Sequence, residues 1–197
     1  MLFRSGWDFP GAHLDRLEAA GFAVHRGDIR PDTLPADSVD VFVLNQVIEH
    51  FARPAEVVSA LARQLRPGGV LVLETPDVRG LDARWFARSF WGGYHFPRHL
   101  VLFHGEGLSE LLRRVGLEVV ESRSLASPAF WIQSCHHALV ERPGLRALAP
   151  LFSLRNPLAV ALATAMDLAR LPFGPTSNIR MVARKPGAGR QPASRRS

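Results

Sequence analysis

From Val39 to Leu44 the chain runs almost without polar interruption, Val-Asp-Val-Phe-Val-Leu, and stops at Asn45. A short apolar run bounded by polar residues reads as a strand buried on both faces of a parallel sheet. The period then changes. Pro54 sits where a first helical turn accepts it, and Val57, Val58, Leu61 and Leu65 recur at helical spacing, so a helix with one apolar face follows. Arg66-Pro67-Gly68-Gly69 ends that helix and turns the chain, and Val70 to Leu73 forms a second buried strand closed by Thr75-Pro76. These three pieces make one βαβ unit. A right-handed crossover sets its strands side by side and parallel, with Asn45 to His50 and Glu74 to Asp77 along one edge of the sheet. Ligands of open α/β sheets bind at that edge.

The flanks are less regular. Gly6 to Gly11 reads as a turn after at most a stub of strand, Ala12 to Ala20 as a short amphipathic helix, Phe22 to His25 as a short strand, and Ile29 to Asp37 as a loop. Beyond the central unit, Leu81 to Phe90 is helix-like. Leu108, Leu111, Leu112 and Val115 form a helical stripe bounded by Gly105 and Gly116, and Leu117 to Glu121 is a strand. From Pro128 the chain is helical and apolar, over Ala129 to Glu141, Leu145 to Leu154 and Pro157 to Leu171.

With 197 residues, 47% hydrophobic and 21% charged, the chain is long enough for one well-buried core. A single cysteine, Cys135, rules out an internal disulfide, and a reducing cytoplasm is the default location. Pro157 to Met166 is too short to span a membrane before Asp167 and Arg170 interrupt it. The formal charge of +6 owes five charges to Arg184, Lys185, Arg190, Arg195 and Arg196, which leaves a nearly neutral body. The expected organisation is one domain over 1–185, with a helical insertion or cover at 127–172, and a basic disordered tail over 186–197. No stripe of basic and aromatic residues runs through the body, so nucleic acid is not an expected partner.

Two stretches carry candidate chemistry. Asn45 to His50 follows the first buried strand, where Asn45 and Gln46 offer amide groups and Glu49 and His50 can brace the turn or take part in the reaction. Trp91-Gly92-Gly93-Tyr94-His95-Phe96-Pro97-Arg98-His99-Leu100 gathers two histidines, an arginine and three aromatics. That mixture suits a pocket that binds an aromatic or acidic substrate and removes its proton, or else an aromatic packing loop. His50, His95 and His99 are the candidate catalytic residues. Cys135-His136-His137 invites a metal reading, but adjacent helical histidines point in different directions, and no metal is expected.

Taken together, Asp8, Gly-Phe at 21–22, His-Arg-Gly-Asp-Ile at 25–29, Val-Ile-Glu-His at 47–50 and Arg-Pro-Gly-Gly at 66–69 resemble class I S-adenosylmethionine-dependent methyltransferases. Their ubiquinone-biosynthesis-like group is the branch most similar. The resemblance covers Gly6 to about Val120 and resumes at Asn178 to Lys185, which is similar to the family's last strand. It implies a three-layer, Rossmann-like α/β fold with an added C-terminal helical segment, and methyl transfer to a small-molecule acceptor by in-line displacement. It also implies S-adenosylmethionine as cofactor, with Asp8 on its ribose, Asp28 and Ile29 at its adenine, and Asn45 and Gln46 near its methyl end. The family's opening strand and glycine-rich loop have no counterpart here, so a truncated gene product, inactive as it stands, is expected. In the family's strand order, 3-2-1-4-5-7-6, the missing strand lies beside Val39 to Leu44. The chain is therefore expected to expose that strand as an aggregation-prone edge, and Phe22 to His25 to stand apart or pair irregularly near Val39. The C-terminal helices could cover the substrate, pair in a dimer, or touch a membrane surface through 145–171. A nicotinamide-dependent oxidoreductase and a non-catalytic relic are the rival readings.

Overall fold

The computed structural model describes residues 11–27 and 34–187 in full and residues 5–8 as backbone. Strand β1 (Ser5–Asp8), helix α1 (Ala12–Ala19) and strand β2 (Ala23–Arg26) form a small parallel unit in which Ser5 pairs with Ala23 and Asp8 with Arg26. Gly6, Asp8, Pro10 and Gly11 around Trp7 read as a turn, yet Ser5–Asp8 is extended because β2 supplies its ladder. Thus β2 pairs with β1, not with the strand near Val39.

The main sheet is built from β3 (Val39–Asn45), β4 (Leu65–Pro76), β5 (Glu118–Ser124) and β6 (Asn178–Arg184), in the order β3-β4-β6-β5. Strands β3 and β4 are parallel, with Val41 opposite Val70 and Asn45 opposite Glu74, and helix α2 (Pro54–Gln64) connects them. Arg66 to Gly69 does not end the strand pairing. Val39 already faces Leu65, and the four residues bulge out before pairing resumes at Val70. Gly69 allows this because a Cβ there would meet the Arg66 carbonyl oxygen at 2.8 Å and that of Asp40 at 3.1 Å. Lys185 closes the same end through Nζ bonds to Asp37 Oδ1 and the Leu65 carbonyl, each 2.8 Å.

The core lies on one face of this sheet. Leu44, Leu71, Leu73, Met181 and Ala183 pack against Val58 and Leu61 of α2. Leu108 and Leu112 complete it from α4 (Gly105–Arg114), which follows the short α3 (Leu81–Trp85). On the other face Val41 is 55% and Val43 66% exposed. The continuous apolar run therefore describes a half-buried edge strand, and the expectation of burial on both faces fails at its odd-numbered residues. Helices α5 (Pro128–Val140) and α6 (Pro157–Arg170) form a second cluster, with Trp131, Ile132 and Ala163 packed against Leu81, Phe86 and Phe152. The expected helix from Leu145 to Leu154 is a 3-10 turn over Arg146–Leu151, containing Pro150.

Candidate functional site

At the carboxyl end of β3 the chain turns sharply. Gln46 takes φ 54°, a left-handed conformation that a residue with a side chain adopts only when its surroundings hold it there. Its N–H donates to the Glu74 carbonyl at 2.8 Å, and its Nε2 donates to Asn178 Oδ1 at 3.0 Å. Asn178 Nδ2 donates in turn to Glu74 Oε1 at 2.9 Å, and Arg180 donates to Oε2 through Nε and Nη2 at 3.2 and 2.9 Å. This network ties the ends of β3, β4 and β6 together. Asn45 stays exposed, on the same strand face as Val43.

The turn Ile48–His50 follows immediately. Glu49 is 1% exposed; its Oε2 accepts from Thr75 Oγ1 at 2.9 Å, while Oε1 has no hydrogen-bond partner. The Glu49 carbonyl accepts from the N–H groups of Leu100 and Val101 at 2.8 and 3.1 Å, which brings the far end of the aromatic loop against the turn. His99 is thereby held with Nε2 3.8 Å from Glu49 Oε1, and its Nδ1 lies 2.7 Å from the Gly93 carbonyl. His50 Nδ1 lies 2.9 Å from the Arg98 carbonyl. A carbonyl oxygen only accepts, so in both rings Nδ1 carries the hydrogen. The three rings form a row, His50 to His99 at 4.9 Å and His99 to His95 at 5.2 Å.

Burial sets the charge states here. It raises the Glu49 carboxyl above its ordinary range against the opposing hydrogen bonds from its own N–H and from Thr75. It lowers the His99 ring, and partial desolvation together with repulsion from His99 and Arg98 lowers that of the more exposed His95. Both rings are accordingly neutral near pH 7.

The loop is braced from behind. Trp91 is 2% exposed, and its Nε1–H donates to Asp82 Oδ2 at 3.0 Å. The Gly92 N–H donates to Ser134 Oγ on α5 at 2.8 Å, and a Cβ on Gly92 would meet Gln133 Cβ at 2.6 Å. Helix α5 therefore supports the histidine loop. His95 itself has φ 36° and is exposed, so a second left-handed residue with a side chain sits at this site.

The structure thus brings His50, His95 and His99 together, with Asn45 and Gln46 at the adjoining strand end. Asp8 ends β1, but its side chain, like Asp28 and Ile29, lies outside the described residues. His136 Nδ1 donates to the Ala149 carbonyl at 3.0 Å, and among the described residues the Cys135-His136-His137 run forms no group of three ligands. Sequence reading missed Asn178, Arg180 and Asp82, whose partners are distant in the chain. Glu74 had a legible signal, a carboxylate at a strand end on the ligand edge.

A family model described as a methyltransferase domain matches residues 5–122. A curated Mycolicibacterium smegmatis protein named "Probable S-adenosylmethionine-dependent methyltransferase" is 34% identical in an alignment 117 residues long that covers 51% of this chain and 46% of that relative. The chain thus spans less than half the length of this relative. Among solved structures, a Mesorhizobium loti S-adenosylmethionine-dependent methyltransferase aligns with TM-score 0.55 at 18% identity, over 91% of this chain and 79% of its own. Phosphoethanolamine N-methyltransferase 2 of Haemonchus contortus, solved with S-adenosylmethionine, aligns with TM-score 0.55 at 18% identity, over 92% of this chain and 43% of its own. At that identity the two structures speak to the fold alone.

Proposed function

Because the chain belongs to the methyltransferase-domain family, of the class I S-adenosylmethionine-dependent kind, we propose that its protein transfers a methyl group to a small-molecule acceptor at the His50–His99–His95 row. The observation that carries this reading is that row itself, set at the carboxyl end of β3 inside the matched segment. The cofactor supplies an electrophilic methyl group on a sulfonium. Asn45, exposed above the apolar Val43, offers the kind of surface that suits it, one amide beside a flat apolar wall. Asp8, Asp28 and Ile29 complete that side in this reading. The acceptor lies over the loop, an aromatic or acidic small molecule of the ubiquinone-biosynthesis-like type, and His95 takes its proton as the acceptor atom is brought in line with the methyl. The reading includes a cytoplasmic location and peripheral contact with a membrane through 145–171. It is supported there by Leu148, Leu151, Leu154, Leu158 and Leu162, all exposed, while no described helix is long and apolar enough to cross a membrane.

Residues 1–197 and the longest reading frame that contains them are assayed side by side with labelled S-adenosylmethionine and a panel of phenols, aromatic acids and amines. With the Val41 and Val43 face exposed, residues 1–197 alone bind the cofactor weakly and turn over little or nothing. In the active form, His95→Ala lowers turnover by about a hundredfold or more with cofactor affinity nearly unchanged. Preference for a nicotinamide dinucleotide overturns the reaction class, and full turnover in His95→Ala overturns the residue's role.

A further inference from the structure

We propose that Glu49, His50 and His99 form a binding site for one divalent first-row transition cation of the Zn2+ type. The inference rests on geometry and is independent of the methyl-transfer reading. One ligand atom from each of the three residues lies within 4.8 Å of the others, and His99 Nε2 stands 3.8 Å from Glu49 Oε1. Ligands bound at about 2.0–2.1 Å in a tetrahedral shell stand roughly 3.4 Å from one another, so small side-chain rotations suffice to close the shell.

Three features make this a built site. Both histidines donate Nδ1–H to a backbone carbonyl, His50 to Arg98 and His99 to Gly93, which leaves the lone pair of each ring on Nε2. Metal-bound histidines are oriented in this way, by a carbonyl or carboxylate behind the ring. Glu49 Oε1 is the second feature, a buried carboxylate oxygen with no hydrogen-bond partner on a side chain 1% exposed. Such an oxygen is costly unless something fills it. Thr75 Oγ1 holds the other oxygen at 2.9 Å and so fixes which one is presented. Last, the scaffold is rigid on both sides, because the Glu49 carbonyl takes the N–H groups of Leu100 and Val101.

Two imidazoles and a carboxylate favour zinc, cobalt or iron(II) over magnesium or calcium, which prefer oxygen ligands. Three protein ligands leave at least one position open, the pattern of sites at which a metal polarises a bound oxygen. His50 is only half-buried, so the open position has a way out to solvent.

The test titrates the full chain, freed of any affinity tag and stripped with chelator, with Co2+ as a coloured probe and then with Zn2+ in competition. The expected result is one equivalent of Co2+ with new visible d–d absorption, displaced by Zn2+ and unaffected by millimolar Mg2+. Glu49→Gln, His50→Gln and His99→Gln each weaken binding at least tenfold, whereas the double variant His136→Gln with His137→Gln binds as the parent does. His50→Gln, at a half-exposed side chain, is the variant least able to disturb folding, and a thermal melt of each protein separates lost binding from lost structure. Absence of Co2+ uptake by the folded parent, unchanged uptake in folded His50→Gln, or loss of uptake in the His136/His137 variant overturns the site.

Discussion

The indole of Trp91 donates its one hydrogen to Asp82 Oδ2 at 3.0 Å, with both side chains buried, and this bond anchors the histidine loop to the start of α3. Ser177 Oγ–H donates to the other oxygen. Burial nevertheless dominates, and it raises the Asp82 carboxyl above its ordinary range against both hydrogen bonds. The sign of the pH effect follows. A carboxyl with a folded pKa above its unfolded one keeps its proton longer in the folded state, so stability is lost as pH rises from about 4 through the raised value. Asp82→Asn removes this titration. Urea unfolding across pH 4 to 8 should show the parent losing stability relative to Asp82→Asn as pH rises, levelling off above the raised pKa. Trp91→Phe, which strips a donor from a buried acceptor, should cost about 1–3 kcal/mol.

A second prediction concerns the brace between loop and helix. Gly92→Ala drives a Cβ to 2.6 Å from Gln133 Cβ and 2.9 Å from the Phe130 carbonyl oxygen, so either α5 or the loop must move. Chemical unfolding should register about 1–3 kcal/mol of destabilisation. Ser134→Ala, which removes the acceptor of the Gly92 N–H together with the Oγ–H bond to the Phe130 carbonyl, should cost about 1–3 kcal/mol as well, without a steric part. If Gly92→Ala is as stable as the parent, α5 does not brace the loop.

The βαβ core was legible because it is local: one run of apolar residues, one helical stripe and one glycine-rich turn lie in a single stretch, and their parallel pairing appears as expected. Half of the burial was not. An apolar run has the same appearance whether one face is covered or two, and only the placement of α2 and α4 on one side shows that Val41 and Val43 stay exposed. The histidines were legible as chemistry but not as a site. His50 and His99 meet because the Glu49 carbonyl captures Leu100 and Val101, a backbone contact that leaves no mark on residue types. The Gln46–Asn178 bond spans 132 residues and is invisible for the same reason.

The exposed valines lead to a third prediction. β3 is the edge of the main sheet, so its outer backbone groups and the Val41 and Val43 side chains together form a template for association. Residues 1–197 should scatter light increasingly with concentration, and Val41→Lys with Val43→Lys should suppress this. Exposed substitutions of this kind change stability by about 0.5 kcal/mol or less. Equal association in the lysine variant would move the cause elsewhere on the surface.

The last prediction takes the surface of the C-terminal helices. Leu148, Leu151, Leu154, Leu158 and Leu162 are 47%, 57%, 55%, 65% and 59% exposed, more apolar side chain than a solvated helix needs. Arg142, Arg146 and Arg155 stand exposed in the same stretch. Apolar side chains with arginines around them suit an anionic bilayer surface, where the leucines enter the acyl boundary and each arginine near the surface adds about 1 kcal/mol. The chain should co-sediment with vesicles containing anionic lipid and much less with neutral ones. Leu158→Glu with Leu162→Glu should reduce that binding at least tenfold by placing two charges at the boundary. Replacing the three arginines by glutamine should instead remove the preference for anionic lipid, and salt at about 1 M should do the same by shortening the screening length to about 3 Å. A dimer interface predicts a different pattern: the leucine variants would shift sedimentation velocity in the absence of lipid, and vesicle binding would be weak in the parent. That outcome would assign the leucine surface to a second copy of the chain and not to a membrane.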